Sequence, residues 1–114
     1  MVTITIKPEP NIPNLKIITI TGSIDPVTSK QVNEKVFSVI KQEESNIIFD
    51  LSKVHYISSS GMMNLFNYLQ LMTDKKRLCK FVKLPEYVQN SLEASGIAGK
   101  LEMYDSIEAA ISSF

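Results

Sequence analysis

In the stretch HYISSSGMMNLF, residues 55–66, three consecutive serines and a glycine stand directly before an apolar run with helical spacing: Ser58, Ser59, Ser60 and Gly61. Hydroxyl groups in that place have three chemical uses. One can cap the helix by accepting a backbone N–H. One can carry a phosphoryl group, because the free N–H groups and dipole of a helix N-terminus favour an anion and a glycine in the first turn keeps a side chain away from them. One can act as a nucleophile if a base activates it. His55 is the sole histidine, the pattern G-x-S-x-G is absent, and no second histidine or cysteine completes a triad, so intrinsic hydrolase chemistry has little to stand on. Capping accounts for one serine and does not require three.

The whole chain sets the limits within which those residues work. At 114 residues it fits one domain, 1–114, and 44% hydrophobic with 21% charged residues is the make-up of a globular chain with one core. Twelve basic and twelve acidic residues cancel. That removes the positive field that draws proteins to nucleic acid or anionic lipid, so neither is an expected partner. A single cysteine, Cys79, excludes an internal disulfide and a Cys-rich metal site, so no metal or cofactor is expected and the chain reads as cytoplasmic. The start, MVTITIKPEP, alternates and breaks at prolines, unlike a signal peptide, and no apolar run is long enough to span a bilayer.

Strands and helices take turns along the sequence. Val2, Ile4 and Ile6 alternate with polar residues, and a second strand is predicted from Leu15 to Thr21, paired antiparallel with the first across the proline-rich PEPNIPN. Asp25 and Pro26 form a helix start, followed by Val32, Val36, Val39 and Ile40 on one face as far as residue 42. NIIFDL, residues 46–51, reads as a central strand, with the serine loop after it and a helix from near Gly61. That helix carries the buried stripe Met62, Leu65, Phe66, Leu69 and Met72. A basic break, Lys75 to Arg77, reads as a solvated helix end before the strand LCKFV, residues 78–82. Pro85 opens a third helix that Gly96 ends, Leu101–Tyr104 forms a short strand, and Asp105 with Glu108 has capping-box spacing ahead of a fourth helix. The order β β α β α β α β α predicts a single α/β domain: a mixed sheet with largely parallel later strands and about four helices.

DLSKVHYISSSGMMNLF, residues 50–66, resembles the signature of the STAS domain of bacterial anti-sigma factor antagonists, in which a strand ending in Asp-Leu leads into Asp-Ser-Ser/Thr-Gly-Leu and a helix. TGSIDPVTSKQV, residues 21–32, is similar to the family's Thr-Gly-x-Leu/Ile-Asp segment, and ASGIAGKLEMY, residues 94–104, to its Ser-Gly-Leu turn before the last strand. The resemblance implies the STAS fold and regulation by partner exchange. Members of this type bind an anti-sigma factor serine kinase when unphosphorylated, lose it when phosphorylated, and are restored by a separate serine phosphatase. Residue by residue, Ser59 matches the phosphoacceptor, Ser60 the second hydroxyl residue, Gly61 the glycine and Met62 the apolar residue after it. Asp25 matches an aspartate implicated in kinase or nucleotide contact, though a helix cap explains it equally well. Ser58 departs from the pattern, standing where the family often has aspartate.

On the helix after the serines, Met63, Asn67 and Leu71 lie four apart and drift away from the buried stripe, beside Asn64. They form a candidate partner-binding strip. The leading expectation is therefore a non-enzymatic, phosphorylation-switched antagonist controlling transcription. The alternative is a STAS scaffold or sensory module that binds proteins or a nucleotide without a phosphorylation cycle.

Overall fold

The computed structural model describes residues 2–42, 44–94 and 102–114. Alternation at the N-terminus becomes β1, Val2–Pro8, with Ile4 and Ile6 turned toward the main core and Thr3, Thr5 and Lys7 exposed. The prolines reverse the chain, Asn14 takes the left-handed conformation at φ 59°, and β2, Leu15–Ile24, returns antiparallel with Gly22 opposite Val2. β2 shifts register between Thr19 and Thr21 and again between Gly22 and Ser23. Gly22, at φ 113°, supplies the backbone freedom such an irregularity needs.

The remaining elements alternate: α1 (Ser29–Gln42), β3 (Asn46–Ile57), α2 (Ser59–Asp74), β4 (Cys79–Val82), α3 (Glu86–Ala94), β5 (Glu102–Tyr104) and α4 (Ile107–Ser112). The sheet order is β1-β2-β3-β4-β5, and every pair after β1·β2 is parallel. Residues of α1, α2 and α3 share one large core with one face of the sheet. α4 covers a smaller patch of Leu15, Ile48 and Val82 through Ala110.

The predicted face of α1 is buried in full, at Val32, Val36, Val39 and Ile40. Lys41 in its last turn suits the negative end of the helix, and Arg77 donates from Nη1 to the Ile40 carbonyl at 3.0 Å. Arg77 is thus a structural clamp on α1, whereas Lys75 and Lys76 are the exposed helix end foreseen for all three. The centre of the core is a ring stack: Phe49 lies between Tyr68 and Phe81, with centroids 5.7 and 5.4 Å away. The Tyr68 hydroxyl donates to Asn33 Oδ1 on α1, and burial pushes its pKa up. Cys79 is a buried strand residue, as expected, and burial raises its thiol pKa. Next to it on the opposite face, Lys80 is 2% exposed, with Nζ 2.6 Å from Ser113 Oγ, 3.4 Å from Glu102 and over the Phe114 ring at 4.1 Å. That cation is tolerated in the interior because it is paired and hydrogen-bonded.

Five expectations are corrected. Asp25 and Pro26 do not start a helix: the Asp25 carboxylate takes up the Val27 and Thr28 N–H groups in a turn, and α1 begins at Ser29. The second strand does not stop at Thr21 but runs to Ile24 beside the lengthened β3. The strand NIIFDL does not stop at residue 51: β3 continues to Ile57, so His55 is an exposed strand residue, the serine loop shrinks to Ser58, and α2 starts at Ser59 rather than near Gly61. The cap of α4 is Ser106, whose Oγ accepts from the Ala109 N–H at 3.1 Å, and not Asp105; both have a residue three positions on, and the hydroxyl is the group aimed at it. The last strand is Glu102–Tyr104. Gly96 and Leu101 lie outside the described residues.

Candidate functional site

The serines stand at the carboxyl ends of two parallel strands, β2 and β3, a place where open α/β sheets gather functional groups. Ser58 is the N-cap of α2. It is 8% exposed, extended at φ −73° and ψ 171°, and its Oγ accepts from the Gly61 N–H at 3.1 Å while its carbonyl accepts from Met62 at 2.8 Å. The capping role foreseen for one serine thus belongs to the residue that occupies the family's aspartate position, and a serine oxygen serves it as well as a carboxylate would. Ser60 is exposed, and its hydroxyl bonds that of Ser58 at 3.0 Å.

Ser59 is the first residue of α2 and is exposed. With Gly61 and Met62 already bonded to Ser58, the N–H groups of Ser59 and Ser60 remain as the free donors of the turn among the described residues. The first turn of α2 contains no acidic residue, so the positive end of the helix has no side-chain anion of its own.

Gly61 is required by proximity. A Cβ there would sit 2.8 Å from Ile24 Cγ2, 2.9 Å from the Ile24 carbonyl oxygen and 3.1 Å from Ile57 Cγ2. The same Ile24 carbonyl accepts from the Ser58 N–H at 2.8 Å. α2 is therefore seated directly on the end of β2, and the serines are held by backbone.

Asp25 follows Ile24. Its Oδ1 accepts from the N–H groups of Val27 and Thr28, both at 2.9 Å, and from the Thr28 hydroxyl at 3.3 Å, which organises the turn leading into α1. The Thr28 N–H is the main cause of a carboxyl pKa below its ordinary value of 3.8, followed by the opposing effect of desolvation and the bond from Val27. A lowered pKa means that the ionised form favours the fold. Its contribution is complete above the unfolded carboxylate pKa and fades as pH falls through the native value. Asp25→Ala is accordingly expected to lower the urea midpoint at neutral pH and to converge with wild type only once pH has fallen below the native carboxyl value, which lies under 3.8; equal midpoints at pH 7 would remove Asp25 from the stability of this turn.

On α2, Met63 is 55% exposed and lies one turn after Ser59 on the same face; Asn67 is exposed too. Asn64 and Leu71 are half-buried, and Leu71 packs partly against the main core. The predicted strip thus has an exposed half, Met63 and Asn67, next to the serines. Val27, 88% exposed, follows the end of β2, and Tyr56, 55% exposed, lies near the end of β3. Neither was singled out from the sequence. Tyr87 on α3 is 46% exposed, and its hydroxyl is hydrogen-bonded to the backbone of Ile57. The available signal was its place just before Val88, off the Val88–Leu92 stripe. His55 is hydrogen-bonded to none of the three serines among the described residues.

A family model described as STAS domain matches residues 5–110. No curated protein sequence matches the chain closely. Among solved structures, a putative anti-sigma factor antagonist from Thermotoga maritima superposes with a TM-score of 0.81 at 18% identity, covering 96% of this chain and 92% of that one. The Bacillus cell fate determinant SpoIIAA in its phosphorylated form gives 0.76 at 16% identity, over 97% and 98%. The murine Solute Carrier 26 family member A9 anion transporter gives 0.73 at 19% identity over 90% of this chain and 18% of that one. At these identities the likeness is one of fold. Among the described residues no helix is long and apolar enough to cross a membrane.

Proposed function

Because the chain belongs to the STAS domain family, we propose that it is an anti-sigma factor antagonist of the cytoplasm, switched by phosphorylation of Ser59 in a partner-exchange pathway that controls transcription. The observation that carries the proposal is the exposed Ser59 hydroxyl on the first turn of α2, beside free N–H donors and in a turn that contains no acidic residue. A phosphoryl group there adds about −1.5 to −2 charges and three acceptor oxygens. Beside the positive end of a helix it favours the folded state by about 0.3–1 kcal/mol, so modification changes the surface and not the fold. Unphosphorylated, the exposed Met63 and Asn67 on the same face of α2 offer a contact face to an anti-sigma factor serine kinase. A dianion beside it repels or strands a partner that must desolvate it. Catalysis resides in the kinase and in a serine phosphatase that reverses the mark. Asp25 spends Oδ1 on its own turn, leaving Oδ2 as the oxygen for any kinase or nucleotide contact.

The alternative, a scaffold or sensory module without a phosphorylation cycle, draws on one observation: the same fold forms part of an anion transporter. Incubation with candidate serine kinases and ATP, followed by intact mass and peptide mapping, separates the two. One phosphoryl group on Ser59 and none on Ser59→Ala is the expected result. Full stoichiometric phosphate on Ser59→Ala would show the site to be wrong.

A further inference from the structure

We propose that Tyr87 is the positioning residue of the phosphoacceptor segment: its hydroxyl stands in for a missing neighbour strand at the end of β3 and fixes the peptide from which Ser59 departs. The inference rests on the reading of Ser59 as phosphoacceptor. β4 accompanies β3 only from Ile47 to Asp50, while β3 runs on to Ile57. β2 holds the other edge of the overhang as far as the Ile24 and Ile57 pair. Beyond β4, side chains take up backbone groups of β3. The Ser52 N–H goes to the Asp50 carboxylate at 3.0 Å. The Ile57 N–H goes to Tyr87 Oη at 2.9 Å, and that hydroxyl donates back to the Ile57 carbonyl at 3.2 Å. One phenol thus exchanges two hydrogen bonds with one residue, as a strand partner does.

The Ile57 carbonyl and the Ser58 N–H belong to a single planar peptide unit. Tyr87 holds the carbonyl, and the Ile24 carbonyl holds the N–H at 2.8 Å. This plane is clamped at both polar ends immediately before the N-cap and two bonds of chain from Ser59. The Ile57 side chain, meanwhile, is wedged beneath Gly61. The core does not explain Tyr87, since α3 buries Val88 and Leu92 and leaves the Tyr87 ring 46% exposed. Its hydroxyl does.

Tyr87→Phe keeps the ring and removes both bonds. Two readouts are compared with wild type: amide hydrogen exchange by NMR, and steady-state phosphorylation by a kinase that modifies Ser59. Exchange at Ile57 and Ser58 is expected to rise about fivefold to tenfold, with amides of α1 and β1 unchanged. The kcat for Ser59 is expected to fall about fivefold at unchanged KM, because the docking face is intact while the hydroxyl is less well aimed. Unaltered exchange at Ile57 and Ser58, a uniform acceleration over the whole domain, or wild-type kcat despite local loosening would each overturn the proposal. If instead no kinase modifies wild-type Ser59 while Tyr87→Phe still loosens the segment, the phosphoacceptor reading is what fails, and the anchoring by Tyr87 stands.

Discussion

Ser59→Asp is expected to bind the kinase that modifies the wild-type protein about a hundredfold more weakly, a loss of about 2.8 kcal/mol. The direction follows from placement. Ser59 is exposed on the face it shares with Met63, so a fixed carboxylate sits at the contact surface and must be desolvated or repelled when a partner closes over it. A single charge is less than the near-dianion of a phosphoserine, so the phosphorylated protein should bind more weakly still. Ser59→Ala is the control, with affinity within a factor of about two and a urea midpoint close to wild type, since exposed positions without partners change stability by only about 0.5 kcal/mol. Isothermal titration of the three forms decides it. Equal affinity for Ser59→Asp and wild type would favour the scaffold alternative.

Gly61→Ala tests the seat beneath the site, and its sign is diagnostic. In an ordinary helix, replacing glycine by alanine stabilises by about 1 kcal/mol. Here the added methyl meets the Ile24 carbonyl oxygen at 2.9 Å and Ile24 Cγ2 at 2.8 Å. A methyl group on the Ile24 side chain can turn aside, but a carbonyl already bonded to Ser58 at 2.8 Å cannot do so without breaking that bond. Overpacking costs about 1–3 kcal/mol, which outweighs the gain in helix propensity. The net result is a lower urea midpoint, with Gly61→Val lower again because its branched side chain is larger. An unfolding curve in which Gly61→Ala is the more stable protein would mean that α2 is not seated on β2 as described.

The ease with which each part could be read from sequence follows the range of the forces that set it. The buried face of α1 was legible because a single period of 3.6 places Val32, Val36, Val39 and Ile40 against one surface, whereas its start was placed at Asp25 and Pro26, four and three residues before Ser29. α2 was legible in its stripe but not in Tyr68, a ring with a polar tip that the stripe omits and the core encloses. The end of β3 was hidden because residues 52–56 have lost β4 and are mostly exposed, so they lack the apolar pattern that marks a central strand. That error turned strand into loop and delayed the start of α2. Asp105 and Ser106 have similar capping chemistry, and only the geometry of the turn chooses between them. The bond from Tyr87 to Ile57 crosses 30 positions and has no local trace. The serines themselves were visible; the peptide that aims them was not.

Around Ser59, the atoms that set geometry and the atoms that face outward belong to different residues. Ile24, Ile57, Ser58 and Gly61 are buried and hold the segment through backbone and close contact, whereas Val27, Tyr56 and Met63 stand on the surface. Such an outer ring can be re-lettered by mutation at small thermodynamic cost. Domains built on this segment can therefore differ in the surface they present while keeping the same buried seat, without any of them having to fold anew.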